Sequence, residues 1–218
     1  MKSLNAYEQE MYQFLSAASN FEHMLLVFEN YEMVKRRLLE EFWEGVRSRV
    51  ESRLEIHSAG WRLHMNDYPS EWWTMALTKD KWPATKQRLW DLAITWGHMN
   101  RDPHFGVWLN LKAGGIDRSA VYEKIKQLAA LVNGKQDVVQ FRESDALDWW
   151  PLVVRSRLYF GEYSPNQPLL PSEQVRDSLR AILPEVREEV MQRHADMMVE
   201  LALAISEELD GIVAGNGG

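Results

Sequence analysis

Two aspartates, an asparagine and a lysine are spaced so that they could act together. In the predicted strands, Asp91, Asn110 and Lys112 fall on the same non-core face of neighbouring strands, and Asp102 lies in the turn between them. Carboxylate oxygens bind hard cations such as Mg²⁺, whereas a neutral amide oxygen binds Mg²⁺ far less well. The pattern raises metal-dependent catalysis as one hypothesis, with a polar outer sheet face as the other.

This order of residues and elements resembles the PD-(D/E)XK nucleases. The resemblance implies Mg²⁺ held by Asp91 and Asp102, with Lys112 orienting or stabilising an attacking water. The chain departs from the family pattern because Asn110-Leu111-Lys112 has an amide where a carboxylate is needed, and because Asp102-Pro103 reverses the expected Pro-Asp. We therefore expect no active nuclease. A divergent metal-dependent nuclease, or a single-stranded nucleic-acid binder, is the alternative function.

A second resemblance covers residues 38–205 and is based on aromatic residues and element order. Phe42-Trp43, the segment Phe105-Gly106-Val107-Trp108-Leu109 and the segment Trp149-Trp150-Pro151-Leu152 carry it. Together they are similar to the C-terminal accessory region of uncharacterised bacterial PD-(D/E)XK-family proteins. The resemblance implies a binding role, within a bacterial or phage conflict system.

Two histidines flank one predicted turn. His98 and His104 have Asp102 between them in sequence. Two imidazoles and a carboxylate could hold a divalent metal. Solvated turn residues are the simpler interpretation, and we assign no metal site.

Ten tryptophans indicate a binding surface. Trp72-Trp73 and Trp149-Trp150 are adjacent pairs, and adjacent residues on a strand point to opposite faces. One member of each pair could therefore lie outside the core, although helices on both faces would bury them all. Exposed tryptophan beside arginine is typical of protein-interface hot spots and of base-stacking platforms. The predicted surface consists of Trp72, Trp108, Trp149, Arg62 and Arg155.

Hydrophobic periodicity predicts the elements that position these residues. Helical spacing covers residues 5–18 and 21–54, with a break near Ser19-Asn20 that Asn20 could cap. Alternation then predicts four strands between residues 61 and 112, a helix after Asp117 and a strand within 149–160. A long helix follows Ser172, and Pro184 should kink or restart it. The fold class is α+β, with a mostly antiparallel sheet of about five strands flanked by long N- and C-terminal helices and buried on one face.

The predicted domain organisation has three parts. Residues 1–160 form a helix-plus-sheet domain, residues 161–171 form a proline-rich linker loop, and residues 172–218 form a long helix that packs on the same domain and ends in a frayed tail.

Composition favours a cytoplasmic protein that binds other proteins. The net charge is −7, and residues 169–218 carry 4 basic and 10 acidic side chains, which disfavours nucleic acid. The chain has no cysteine, which is compatible with a reducing compartment. It shows no secretion signal and no apolar run long enough to span a membrane.

The expected function is therefore a non-catalytic protein-interaction module without a cofactor, Mg²⁺ belonging only to the nuclease alternative. The long apolar stripes of the terminal helices must also be buried, and a homodimer seam is one way to bury them.

Overall fold

The computed structural model confirms the α+β class and its five-stranded antiparallel sheet. It describes residues 6–57, 60–67, 72–82, 91–110, 118–133, 135, 150–161 and 173–215. The helices are α1 (Ala6–Ser16), α2 (Ala18–His57), α3 (Arg118–Val132), α4 (Glu173–Ala181) and α5 (Arg187–Gly215). The strands are β1 (Trp61–Met65), β2 (Met75–Lys79), β3 (Leu92–Gly97), β4 (His104–Leu109) and β5 (Leu152–Arg155). No described helix is both long enough and apolar enough to cross a bilayer.

The five strands lie in the sheet in chain order, and each pairs antiparallel with the next. The register places Leu77, Ile94 and Val107 in one row across the sheet, followed by Leu152 on β5. On β2 and β3 these apolar residues alternate with alanine and threonine, and this period of two is the pattern that predicts the strands. The alternation of β3 and β4 is confirmed.

The face of the sheet that carries Leu77, Ile94, Trp96, Phe105 and Val107 is covered by helices, and we call it the helix-covered face. The ring of His194 on α5 stacks on Trp96, with ring centroids 4.8 Å apart. Trp43 on α2 contacts Trp96 at 5.5 Å. All three side chains are fully buried. The aromatic and aliphatic side chains between the sheet and these helices form the core.

Three ion pairs connect α2 to α5: Arg49–Glu188, Arg53–Asp196 and Glu41–Arg187. Each includes partly exposed groups, so each contributes at most about 1 kcal/mol.

Asp210 near the end of α5 connects that helix to the sheet. Its carboxylate lies 2.7 Å from Lys79 Nζ and 2.5 Å from Lys81 Nζ, and it accepts a hydrogen bond of 2.8 Å from Trp82 Nε1. Burial acts to raise the pKa of Asp210, but hydrogen bonds from these three side chains outweigh it and lower the pKa. The lowered pKa means that the folded chain stabilises the charged carboxylate.

The helix ends differ from prediction in one respect. The break between α1 and α2 falls at Ala17, and Asn20 lies inside α2 rather than before it. The Asn20 backbone amide donates to Ala17 O at 3.0 Å, and its side-chain amide donates to Phe14 O at 2.8 Å. Asn20 therefore satisfies a carbonyl of the preceding helix instead of capping the next one. At the C-terminal end, the predicted restart occurs where expected, with Pro184 between α4 and α5.

The described chain divides into two compact units, residues 1–38 and residues 39–218. The division falls within α2. The predicted proline-rich linker at 161–171 lies almost entirely outside the described residues. α5 contacts β3 and α3 in the same unit as the sheet.

The expectation of a single buried sheet face is wrong. On the face opposite the helix-covered one, Ala76, Ala93, Thr95 and Gly106 are also buried. All six residues of β3 are buried. Because these side chains are small, other parts of the chain can pack closely on this second face. Its centre is therefore buried.

Candidate functional site

A cluster of aromatic and histidine side chains lies where β3 ends and β4 begins. The cluster, which we call the turn site, consists of Trp72, His98, His104 and Trp150, with Arg101, Asp102 and Arg155 beside them. Ring centroids are separated by 4.7 Å for Trp72–His98, 5.3 Å for His98–His104 and 5.6 Å for His104–Trp150. The rings thus form one continuous chain of contacts.

Backbone hydrogen bonds anchor the turn that carries this site. Met99 N donates to Trp73 O at 3.1 Å, and Arg101 N donates to His98 O at 2.9 Å. On the other side, Phe160 N donates to Arg101 O at 2.6 Å. Trp43 Nε1 also donates to Met99 O at 3.0 Å. Because the turn is held from both sides and from the core, its side chains are presented in a fixed arrangement.

His98 adopts an uncommon backbone conformation, with φ of 53°. Non-glycine residues rarely occupy this left-handed region, and such conformations persist only where surrounding structure holds them. The ring of His98 lies between Trp72 and His104. The positive φ therefore belongs to the geometry that brings His98 against the aromatic cluster.

The Trp150 ring packs on Gly97 at the end of β3. A Cβ built on Gly97 would lie 2.9 Å from the Trp150 ring, closer than side chains pack. Gly97 pairs with His104 across the β3–β4 ladder. The glycine therefore allows the indole to lie on the strand beside His104.

Both histidines of the turn site are held in the neutral form. Burial, together with His104 and Arg101, lowers the pKa of His98 to about 4 against the opposing effect of Asp102. Burial lowers the pKa of His104 as well, and Arg155 and Arg101 add to this while Asp102 opposes it. Near neutral pH the charges at the site are consequently those of two arginines and one aspartate.

Some polar atoms in the turn site are buried without a hydrogen bond. His104 Nδ1, Trp150 Nε1 and Arg101 Nε find no partner in the described part of the chain. Most buried polar atoms in folded proteins are paired. This end of the sheet therefore bears a local cost in stability, as functional sites commonly do.

The structure does not bring the two predicted metal-binding aspartates, Asp91 and Asp102, together. Asp91 is 2% exposed and accepts a hydrogen bond of 2.5 Å from Asn110 Nδ2, while Asn110 N donates to Asp91 O at 2.8 Å. The sequence correctly placed Asp91 beside Asn110. Asp102, however, lies at the opposite end of β3, about 20 Å away for a six-residue strand. Lys112 lies outside the described residues.

The histidine metal hypothesis is not supported either. Asp102 Oδ2 lies 3.7 Å from His104 Nε2, and His98 lies against the rings described above. Among the described residues, no group of three His, Asp or Glu side chains could hold a metal ion.

A buried serine–histidine pair was not predicted. Ser156 Oγ lies 3.5 Å from His194 Nε2, and His194 Nδ1 lies 2.8 Å from Val190 O. His194 is fully buried and stacked in the core, and Ser156 is 6% exposed. The pair satisfies polar atoms inside the core rather than presenting a nucleophile.

The predicted binding surface is divided between two ends of the second face. Trp72 and Arg155 belong to the turn site. Arg62 and Trp108 lie in a row at the other end, with buried Ala93 between their strands. Arg62 is exposed and paired with Asp80, and Trp108 is half-buried. Trp149 lies outside the described residues. The described members of this predicted surface therefore do not form one continuous patch, because the centre of this face is buried.

Comparison of the chain with protein-family models, with curated proteins and with solved structures finds no match.

Proposed function

We propose that the chain is a non-catalytic interaction protein that binds a protein partner through the turn site. The observation that carries this proposal is the exposure of Trp72. Among the described tryptophans, Trp72 alone is largely exposed, at 55%, while its neighbour Trp73 is 1% exposed. A large indole in water costs free energy that partner binding would recover.

Trp72 is also held in place before binding. Its carbonyl accepts hydrogen bonds from Asn66 Nδ2 at 2.9 Å and from Thr74 Oγ1 at 2.8 Å. Asn66 Oδ1 in turn accepts from Thr74 N at 2.6 Å. The ring lies edge-on against His98. A pre-ordered aromatic loses little conformational entropy on binding, which is what interface anchors require.

The charged side chains favour a particular kind of partner surface. Arg155 is exposed, and Arg101 and Asp102 are half-buried beside it. Tryptophan and arginine are the residues most enriched in interface hot spots. The proposed partner presents an apolar side chain to Trp72 and an acidic group to Arg155. The acidic chain as a whole disfavours a phosphate backbone as the ligand.

The cytoplasmic location belongs to this proposal and rests on the absence of cysteine from the sequence. Self-association through the long helices is a second prediction, supported by the need to bury their apolar residues.

The test is affinity capture from the native host, with the wild-type chain beside Trp72→Ala. A partner recovered after nuclease treatment should be lost from the variant, with affinity lowered about 30-fold or more if Trp72 is a hot spot. Arg62→Ala, at the other end of the face, is the matched control and should bind normally. Equal capture by Trp72→Ala, or capture that requires intact nucleic acid, would reject the proposal.

A further inference from the structure

The N-terminal unit presents apolar side chains to solvent on one face of α2. The exposures are 55% for Leu26, 70% for Val27, 60% for Met33 and 50% for Val34. With 3.6 residues per turn, these four side chains lie on the same side of the helix as Asn30. We call this set the exposed stripe. Tyr31 and Leu38, which follow Val27 and Val34 by four residues, border the exposed stripe and are half-buried.

The exposed stripe is symmetric about Asn30. Leu26 and Val34 lie four residues on either side of it, and Val27 and Met33 lie three residues on either side. If two such helices pair antiparallel about a two-fold axis at Asn30, Leu26 of one copy lies opposite Val34 of the other, and Val27 lies opposite Met33. Every apolar side chain then meets an apolar side chain. A single polar residue at the centre of such a seam is a known determinant of register.

The charge of the N-terminal unit favours the same arrangement. Residues 6–34 contain five glutamates and neither lysine nor arginine, whereas residues 35–37 read Lys-Arg-Arg. An antiparallel pair centred at Asn30 places the basic segment of each copy beside Glu22 of the other. A parallel pair would place the two basic segments side by side, which is unfavourable.

We infer that the occupant of the exposed stripe is a second copy of this chain, packed antiparallel along α2 about Asn30. The inference is independent of the turn site, since it uses only residues of the N-terminal unit. It rests on the self-association proposed above and deepens it, because it assigns the surface and the orientation of the two copies.

Sedimentation velocity of the full chain over a concentration series tests the association. We expect a reversible dimer, and we expect the double variant Val27→Glu/Val34→Glu to raise the dissociation constant about 100-fold or more, because two apolar side chains lose their burial. Val186→Glu is the matched control, since Val186 is 55% exposed outside this unit. It should dimerise normally, and circular dichroism should show equal helix content in all three chains. A monomeric wild-type chain, or a dimeric double variant, would overturn the inference.

Oxidative cross-linking tests the orientation, because the chain has no cysteine of its own. Asn30→Cys should form a disulfide-linked dimer with itself. His23→Cys should not, since the antiparallel arrangement places its two copies about 20 Å apart along the helix axis. Self-linking at both positions would show a parallel pair and refute the proposed arrangement.

Discussion

Acid should destabilise this protein through His98. Its pKa of about 4 in the folded chain lies below the ordinary value of 6.5, so the unfolded chain takes up the proton first as pH falls. The contribution of neutral His98 to the free energy of unfolding is fully present above the pKa of the unfolded chain. It is lost as pH decreases from about 6.5 toward 4. Between pH 7 and pH 5 this linkage amounts to about 1.8 kcal/mol at 1.36 kcal/mol per pKa unit. Because His98 is only half-buried, solvent screening should reduce the loss to about 1 kcal/mol.

The assay is denaturant unfolding at pH 7 and pH 5 for the wild-type chain and for His98→Asn. Asparagine does not titrate and tolerates a positive φ better than most residues, so the variant should lose about 1 kcal/mol less than wild type over this pH interval. His23→Asn, a change of an exposed histidine, should leave the wild-type difference intact. The reasoning is refuted if NMR shows His98 titrating near 6.5, or if His98→Asn loses as much stability as wild type.

Three further substitutions test packing in the sheet and in α5. Gly106→Ala should destabilise the fold by about 2 kcal/mol or more, because a Cβ there would fall on the backbone carbonyl of Leu152 in β5. Gly211→Ala, where a Cβ meets nothing, should raise helix stability by up to about 1 kcal/mol, and equal unfolding midpoints for the two variants would contradict this account. Asn110→Ala removes a hydrogen bond to the buried Asp91 carboxylate and should cost about 2 kcal/mol, measured by the same unfolding assay. An unchanged midpoint would show that Asp91 is satisfied elsewhere.

The strands could be predicted because every second residue is apolar, and these apolar residues are the ones buried on the helix-covered face. Leu92, Ile94 and Trp96 alternate with Ala93 and Thr95, and the register confirms the two sets. The burial of the second face could not be predicted in the same way. Alanine and threonine fit an exposed strand position as well as a covered one, so period alone does not distinguish them. Their small size is the one feature of the sequence that indicates burial, since small side chains let another segment pack closely on the sheet.

The tryptophan pair was informative because it rests on backbone geometry. Consecutive residues of a strand point to opposite faces, which predicts one member of Trp72-Trp73 outside the core, although both residues precede β2 in the structure. The structure places Trp73 inside and Trp72 outside. The Trp73 carbonyl accepts a hydrogen bond from the Met99 amide. That contact joins segments 26 residues apart in sequence and leaves no local pattern.

The turn site shows why a cluster built from distant segments is harder to predict than the fold. Trp72, His98 and Trp150 come from three separate segments, and only the sheet register brings them to one end of the strands. Local spacing instead favoured Asp91 and Asn110, which are close in space but bury and satisfy one another. A site that binds a partner must expose groups that can form new contacts when the partner binds. The Asp91–Asn110 pair is buried and hydrogen-bonded internally, whereas Trp72 and Arg155 are exposed at the turn site, and this difference in exposure is why the proposed function is assigned there.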